Sequence, residues 1–266
     1  MRVYIEFIKN AFQANIAYRM SVLLRLMSQV VVLVVRVSLW QALFKEIGRI
    51  ATPMGVVSVR EMISYSIIST GMSIIITTNV IRQMDGKIKT GEIAMDLIKP
   101  FNLKASLFCD TLGTNAVRFL VELLPLLAIG ILIYGVSYPS WQNLILFFIA
   151  LGNGMIICFS LYYLLGLAGF WYLSVWQFRM TLDILILVLG GAQIPVWFFP
   201  ESLIYLSSFM PFKLIYFAPL AIYLEKGTTV DAIGLILQQF VWISILLALE
   251  ELVWLKGVKK LVIQGG

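Results

Sequence analysis

Six runs of mostly apolar residues, each near twenty long, limit what this chain can fold into. A helix needs roughly 20 such residues to cross the hydrocarbon core of a bilayer. Runs of that length occur at about 21–44, 62–81, 106–134, 142–170, 181–199 and 232–254. They predict an all-α integral membrane protein with six transmembrane helices. Composition agrees, with 61% hydrophobic and 13% charged residues, against roughly 45–50% and 25% in soluble domains. No Pro- or Ser-rich linker divides the chain, so a single membrane domain over 1–266 is expected, with no soluble part able to bury its own core. The third and fourth runs are longer than a crossing requires, so tilt or ends projecting into water are expected. Gly152, Gly154, Gly166 and Gly169 fall inside the fourth run and read as close helix contacts.

Lysine and arginine placement sets the orientation. With the N-terminus inside, thirteen of them fall on the cytoplasmic side, among them Arg2, Arg82, Lys104 and Lys256; five, from Lys45 to Lys226, fall outside. That bias places both termini in the cytoplasm. The net charge of +6 is therefore a topology signal. Nucleic acid is excluded as a partner, because the basic residues are scattered along membrane edges instead of forming one stripe with stacking aromatics.

Three segments depart from plain spans. Over 1–20, Ile5, Ile8, Phe12 and Ile16 recur at spacings of three and four while Arg2, Glu6, Lys9 and Gln13 take another face. That pattern predicts a helix in the membrane interface, an elbow leading into the first span. Glu6, Lys9 and Asn10 interrupt the apolar run that a cleaved signal peptide would need. Between the second and third spans, residues 82–104 form a polar, basic cytoplasmic segment. Asp85-Gly86-Lys87 predicts a turn, Thr90 an N-cap, and Glu92 a first-turn acid at the positive end of the dipole. Ile93 and Leu97 fall on one face, Glu92 and Asp96 on another, and Lys99-Pro100 stops the helix. Under three turns long, it should hold its shape only when docked on lipid or protein. An ordinary solvated loop is the alternative. Lastly, Pro195, Pro200, Pro211 and Pro219 punctuate an aromatic stretch whose apolar pieces are half a crossing long. Residues 200–230 therefore read as a re-entrant hairpin at the outer leaflet before the last span, with its aromatics at headgroup depth.

Charges within the spans are costly and point to a pathway or a partner. Arg118 and Glu122 lie four apart, as do Arg179 and Asp183, and each couple reads as a self-neutralising pair. Arg36 has no acid at helical spacing, so its partner must lie on another helix, another subunit or a lipid headgroup. Histidine is absent, which removes the commonest acid/base residue and metal ligand. Cys109 and Cys158 have no metal-like spacing and read as small core residues. No G-x-x-x-x-G-K-[ST] occurs, so there is no P-loop for ATP and no catalytic or metal site is assigned.

The order of these elements resembles the permease subunit of ABC-2 type exporters, and more closely a bacterial subgroup of about 260 residues. Ala17-Tyr18-Arg19 in the elbow, the Gly-Glu-Ile and Asp-Leu-Ile-Lys-Pro-Phe run at 91–101, and Phe-Phe-Pro-Glu at 198–201 have counterparts there. The resemblance implies a bacterial plasma-membrane permease that works as a dimer, with itself or with a sister permease, among membrane lipids. Each subunit would dock on a cytoplasmic ABC ATPase dimer that holds the ATP and Mg, this chain binding no cofactor. Thr90, Gly91, Glu92, Ile93, Asp96 and Leu97 would enter a groove on that ATPase, with Ile93 and Leu97 as apolar anchors and Glu92 and Asp96 pairing at the rim. Thr77, Thr78 and Asn79 in the second span and Gln193 in the fifth would line the translocation path. The cargo would be an amphiphilic or hydrophobic drug, peptide, lipid or glycan. Two rival classes are an ion-gradient transporter, which would usually show a repeated half, and a lipid-modifying membrane enzyme, which would need clustered acids or histidines.

Overall fold

Apolar runs fold as helices in this chain because a helix satisfies its own backbone hydrogen bonds where no water can. The computed structural model describes residues 2–264 other than 18, 54 and 173. In chain order the helices are α1 (Arg2–Ala17), α2 (Arg19–Ile47), α3 (Val59–Ile75), α4 (Val80–Lys89), α5 (Glu92–Ile98) and α6 (Leu103–Arg118). There follow α7 (Leu124–Tyr134), α8 (Trp141–Leu167), α9 (Trp176–Leu189), α10 (Glu201–Ser208), α11 (Phe217–Tyr223) and α12 (Thr229–Gln264). An antiparallel hairpin of β1 (Arg49–Thr52) and β2 (Gly55–Ser58), with Arg49 opposite Ser58, joins α2 to α3. The all-α expectation missed these two short strands. Ser58 ends the hairpin and caps α3, its hydroxyl accepting from the Glu61 amide while the Glu61 carboxylate accepts from the Ser58 amide.

Five stretches among the described residues are long and apolar enough to cross a membrane: Met20–Ile47, Val59–Lys89, Leu103–Tyr134, Trp141–Phe170 and Thr229–Lys260. They match five of the six expected runs. The expected crossing at 181–199 is different. Its helix α9 stops at Leu189 after 14 residues, about 21 Å at 1.5 Å per residue, short of a core about 30 Å thick. Gly190 and Gly191 end it, with Gly191 at φ +75°, a left-handed conformation that suits glycine. The freed carbonyls are captured within the protein. Tyr65 donates its hydroxyl to the Gly191 carbonyl, Ser69 donates to the Ala192 carbonyl at 2.5 Å, and the Phe217 amide donates to the Gly190 carbonyl at 3.0 Å.

Two other long helices are interrupted. Residues 76–79 between α3 and α4 are not helical. Between α6 and α7, residues Phe119–Leu123 form a π-helical turn in which the Leu124 amide reaches back to the Phe119 carbonyl. Pro125 follows directly and has no N–H for the carbonyl of Val121, so the ladder loosens there.

The main core runs through α2, α3, α8, α11 and α12, with Leu33, Met62, Ile67, Ile157, Leu214 and Leu220 fully enclosed. Trp197, Tyr216 and Phe217 belong to it, whereas Tyr205 and Phe209 of the 200–230 stretch are well exposed, at 70% and 63%. A second, smaller cluster joins Val80, Met84, Ile93, Leu103, Phe159 and Leu167 at the end of the bundle that carries α4 and α5. Three of the four glycines expected to pack do so: a Cβ at Gly154 would lie 2.8 Å from the Ile215 carbonyl oxygen, at Gly166 3.1 Å from Met84, at Gly169 3.0 Å from Ile88. Gly152 faces open space. Helix α1 lies against α6, where a Cβ at Gly113 would meet the Ile8 carbonyl oxygen at 2.5 Å. Of its expected apolar face, the side chains of Phe12 and Ile16 lie outside the described residues, as does Tyr18.

Candidate functional site

The segment 82–104 folds as two helices joined by a tight turn. Asp85-Gly86-Lys87, expected as a turn, lies inside α4, where the i,i+4 pair Lys89–Asp85 at 2.6 Å supports the helix. The turn comes five residues later. Gly91, at φ +76°, is the N-cap of α5, and Thr90 closes α4 instead, its hydroxyl donating to the Gly86 carbonyl at 3.0 Å. The displacement has a simple cause: only glycine takes the left-handed conformation here without strain.

The faces of α5 also differ from expectation. Ile93 is 0% exposed and packs on Val80, Met84, Leu103 and Phe159 of its own chain. It is not free to anchor a partner. Asp96 is buried as well, its two carboxylate oxygens accepting from Lys87 at 2.5 Å and Lys99 at 2.7 Å. Burial alone would raise its pKa; the hydrogen bonds and charges of the two lysines outweigh that and hold the carboxyl below the usual aspartate range. Glu92, Met95, Leu97 and Ile98 face outward, Ile98 being 80% exposed.

A polar layer surrounds the break in α3. Asn115 of α6 donates to the Thr77 carbonyl at 3.2 Å and Arg118 donates to the Thr77 hydroxyl at 2.6 Å. Thr78 and Thr111 share a hydrogen bond at 3.2 Å, and Gln83 donates to Asp110 at 2.7 Å. The freed Thr77 carbonyl is thus satisfied by Asn115 of α6. Arg118 and Glu122, expected to neutralise each other, each bond a group elsewhere in the chain. Glu122, 3% exposed, pairs with Arg25 of α2 at 2.9 Å, while Arg118 is drawn to Thr77. Arg179 and Asp183 do pair, at 3.7 Å, and Asp183 also accepts from the Tyr162 hydroxyl. Among the described residues Arg36 meets no acid. It donates to the Thr70 hydroxyl and the Ala192 carbonyl, both at 3.3 Å, and its Nε is buried without a partner.

Thr77 and Thr78 border a cavity of about 270 Å³, closed by Ser73, Tyr162, Arg179, Asp183 and Tyr216. Its wall mixes hydroxyls, one charge pair and the apolar Ile186 and Leu187. That mixture suits a ligand with a polar end and an apolar body. Asn79 is exposed and turned to a smaller recess with Asp110 and Thr114. Gln193 is exposed and lies outside this wall, although its neighbour Ala192 is part of it. Sequence reasoning missed Tyr162, Asn115 and Arg25. The signal for the last two was present: polar or charged groups within or beside an apolar run. A second cavity of about 240 Å³ lies between α5 and α12, walled by Asp96, Phe101, Tyr163, Glu250 and Trp254.

Comparison with known proteins gives one match and two blanks. No curated protein and no solved structure matches the chain. The family model described as ABC-2 family transporter protein matches residues 30–265, from the middle of α2 to the end of α12. The chain belongs to the ABC-2 transporter family, a membrane component of ABC transporters.

Proposed function

We propose that this chain is the permease subunit of an ATP-driven exporter, moving an amphiphilic or hydrophobic substrate out of the cytoplasm or inner leaflet by alternating access. The observation that carries the reading is the way α5 is mounted. Its inner face is held to α4, through the Lys87–Asp96 pair and through Ile93, which shares a core cluster with Leu103 of α6 and Phe159 of α8, and its outer face leaves Met95, Leu97 and Ile98 uncovered. An exposed apolar edge on a rod fixed to several long helices is built to receive force from a partner. Family membership implies an ABC ATPase as that partner, and the ATP and Mg belong there.

Helix lengths and the lysine and arginine bias support the following placement. Twenty residues from the Ser58 cap of α3 reach Thr78, and twenty back from Tyr134 reach Asn115. Thr77 and Asn115 are hydrogen-bonded, so both counts end in the same layer. That layer is the cytoplasmic boundary of the membrane. Helices α4 and α5 and the start of α6 project below it, and the lysine and arginine bias agrees. Ser69, about ten residues in from Ser58, and Arg36 meet the Ala192 carbonyl near mid-membrane. In this frame α9 enters from the cytoplasm and stops short of the outer face, and residues 190–224 complete the fifth crossing as a re-entrant hairpin. The exposed apolar side of α9, with Ile184, Leu187 and Val188, faces a second permease copy or a sister subunit. The cavity at Thr77, Thr78, Tyr162 and Asp183 is the inner-leaflet site for substrate. The setting is a bacterial plasma membrane with both termini in the cytoplasm.

The docking role is tested by copurification. Met95→Asp with Ile98→Asp should leave the permease folded and abolish capture of the ATPase. Stoichiometric capture by that double variant rules the docking face out.

A further inference from the structure

We propose that the substrate held in the cavity beside Thr77 and Thr78 is an anionic amphiphile, with a phosphate or carboxylate head at Arg179 and an apolar body lying along α9. The proposal rests on that cavity being the inner-leaflet site and adds the class of cargo it takes.

The cavity wall is graded along one face of α9. Arg179, Asp183, Ile186 and Leu187 follow one another at helical spacings, charged groups first and apolar ones last. From Arg179 to Ile186 the helix rises about 10 Å at 1.5 Å per residue. In the placement above α9 enters from the cytoplasm, so Arg179 lies at headgroup depth and Ile186 well inside the bilayer. An amphiphile of the inner leaflet has the same orientation.

Charge decides the head. Among the described residues the Arg179 guanidinium donates no hydrogen bond; Asp183 stands 3.7 Å from its Nε, and the Trp176 ring centroid lies 5.8 Å away. Between the Thr77–Asn115 layer and the level of Ala192, the helices carry Arg25, Arg36, Arg118 and Arg179 against Glu122 and Asp183. Arg25 takes Glu122 and Arg179 faces Asp183, which leaves Arg36 and Arg118 uncompensated. Both stand directly behind the wall, Arg118 donating to the Thr77 hydroxyl and Arg36 to the Ala192 carbonyl. Neither is part of the cavity surface. What reaches the cavity is their charge, which acts over longer distances where the dielectric is low. An anionic head is drawn by that excess and takes the hydrogen bonds that Arg179 has to give, its fork matching a phosphate or carboxylate. A cationic head would meet a single carboxylate, already engaged by the Tyr162 hydroxyl, in front of the same positive excess.

The experiment uses the full permease with its copurified ATPase in phosphatidylcholine nanodiscs. It is photolabelled with dodecyl benzophenone probes that differ only in the head, which is phosphate, trimethylammonium or a neutral glycol, and adducts are mapped by mass spectrometry. The phosphate probe should label the α3 and α9 segments of the wall at least about tenfold more efficiently than the other two. Arg179→Gln should remove that preference and leave labelling by the neutral probe unchanged, while Arg179→Lys keeps part of the preference. Should Arg179→Gln lose the neutral adduct as well, the three heads compared on the parent chain still decide the question. Vanadate trapping of the ATPase should abolish the phosphate adduct; one that survives trapping marks a resident lipid head and overturns the assignment to cargo. Displacement of the probe by inorganic phosphate would show a free-anion site and overturn the amphiphile class. Equal labelling by all three heads, or a preference for trimethylammonium, overturns this proposal and leaves the cavity reading standing. No wall adduct from any probe overturns both.

Discussion

Gly152 and Gly154 sit two residues apart on α8 and meet different surroundings. A methyl at 154 would press on the Ile215 backbone carbonyl, which cannot swing aside, whereas at 152 nothing lies within 4 Å. Gly154→Ala should therefore destabilise the purified permease by about 1–3 kcal/mol, as overpacking does. Gly152→Ala should hold or raise its thermal midpoint, since alanine favours the helix by about 1 kcal/mol. Paired melting curves in one detergent check both. Asp96 carries a pH dependence of definite sign. Its carboxyl is held below the usual range by Lys87 and Lys99 against the opposing effect of burial. Its contribution is therefore complete above about pH 3.9 and is lost as the pH falls through its lower folded value. Asp96→Asn should increase local opening of α5 by about 1–3 kcal/mol at neutral pH. Amide exchange over residues 92–98 measures this, and the gap from the parent chain should close in acid.

At the level of elements, the interruptions matter more than the helices. The break at 76–79 is held by α6, where Asn115 donates to the Thr77 carbonyl while Thr111 and Arg118 engage the hydroxyls of Thr78 and Thr77. Asn115→Leu removes the donor to the Thr77 carbonyl and should cost about 1–3 kcal/mol, with faster amide exchange confined to residues 76–80. The sequence made the long helices legible through length and hydropathy alone. Thr77, Thr78 and Asn79 were marked only by resemblance, and nothing local showed that the helix stops at them, since Ile74-Ile75-Ile76 reads as uninterrupted span. The end of α9 was equally hidden. Gly190-Gly191 is tolerated in many membrane helices, and here the carbonyls of Gly191 and Ala192 just past the helix are taken up by Tyr65, Ser69 and Arg36 from far away in the chain. For α5, periodicity found the helix and both of its faces but could not tell which was covered. Ile93 and Leu97 look alike in sequence; only the position of α4 and α8 separates them.

For the whole molecule, orientation is the first quantity to establish. In a background with Cys109 and Cys158 replaced by serine, Lys226→Cys should react with an impermeant maleimide on intact cells. Lys256→Cys should react only after permeabilisation. The reverse pattern would place α5 outside and end the docking reading. The half-length of α9 was beyond any count of apolar residues, because the run 181–199 is long enough and fails to cross for tertiary reasons.

Ile93 is fully buried, in one cluster with Val80 and Met84 of α4, Leu103 of α6 and Phe159 of α8. Close-packed side chains transmit displacement instead of absorbing it. On the proposed docking reading, a thrust delivered at Ile98 reaches the spans through that seat. Ile93→Ala, which slackens it, should then leave a permease that still captures the ATPase and still supports ATP hydrolysis, but moves no substrate.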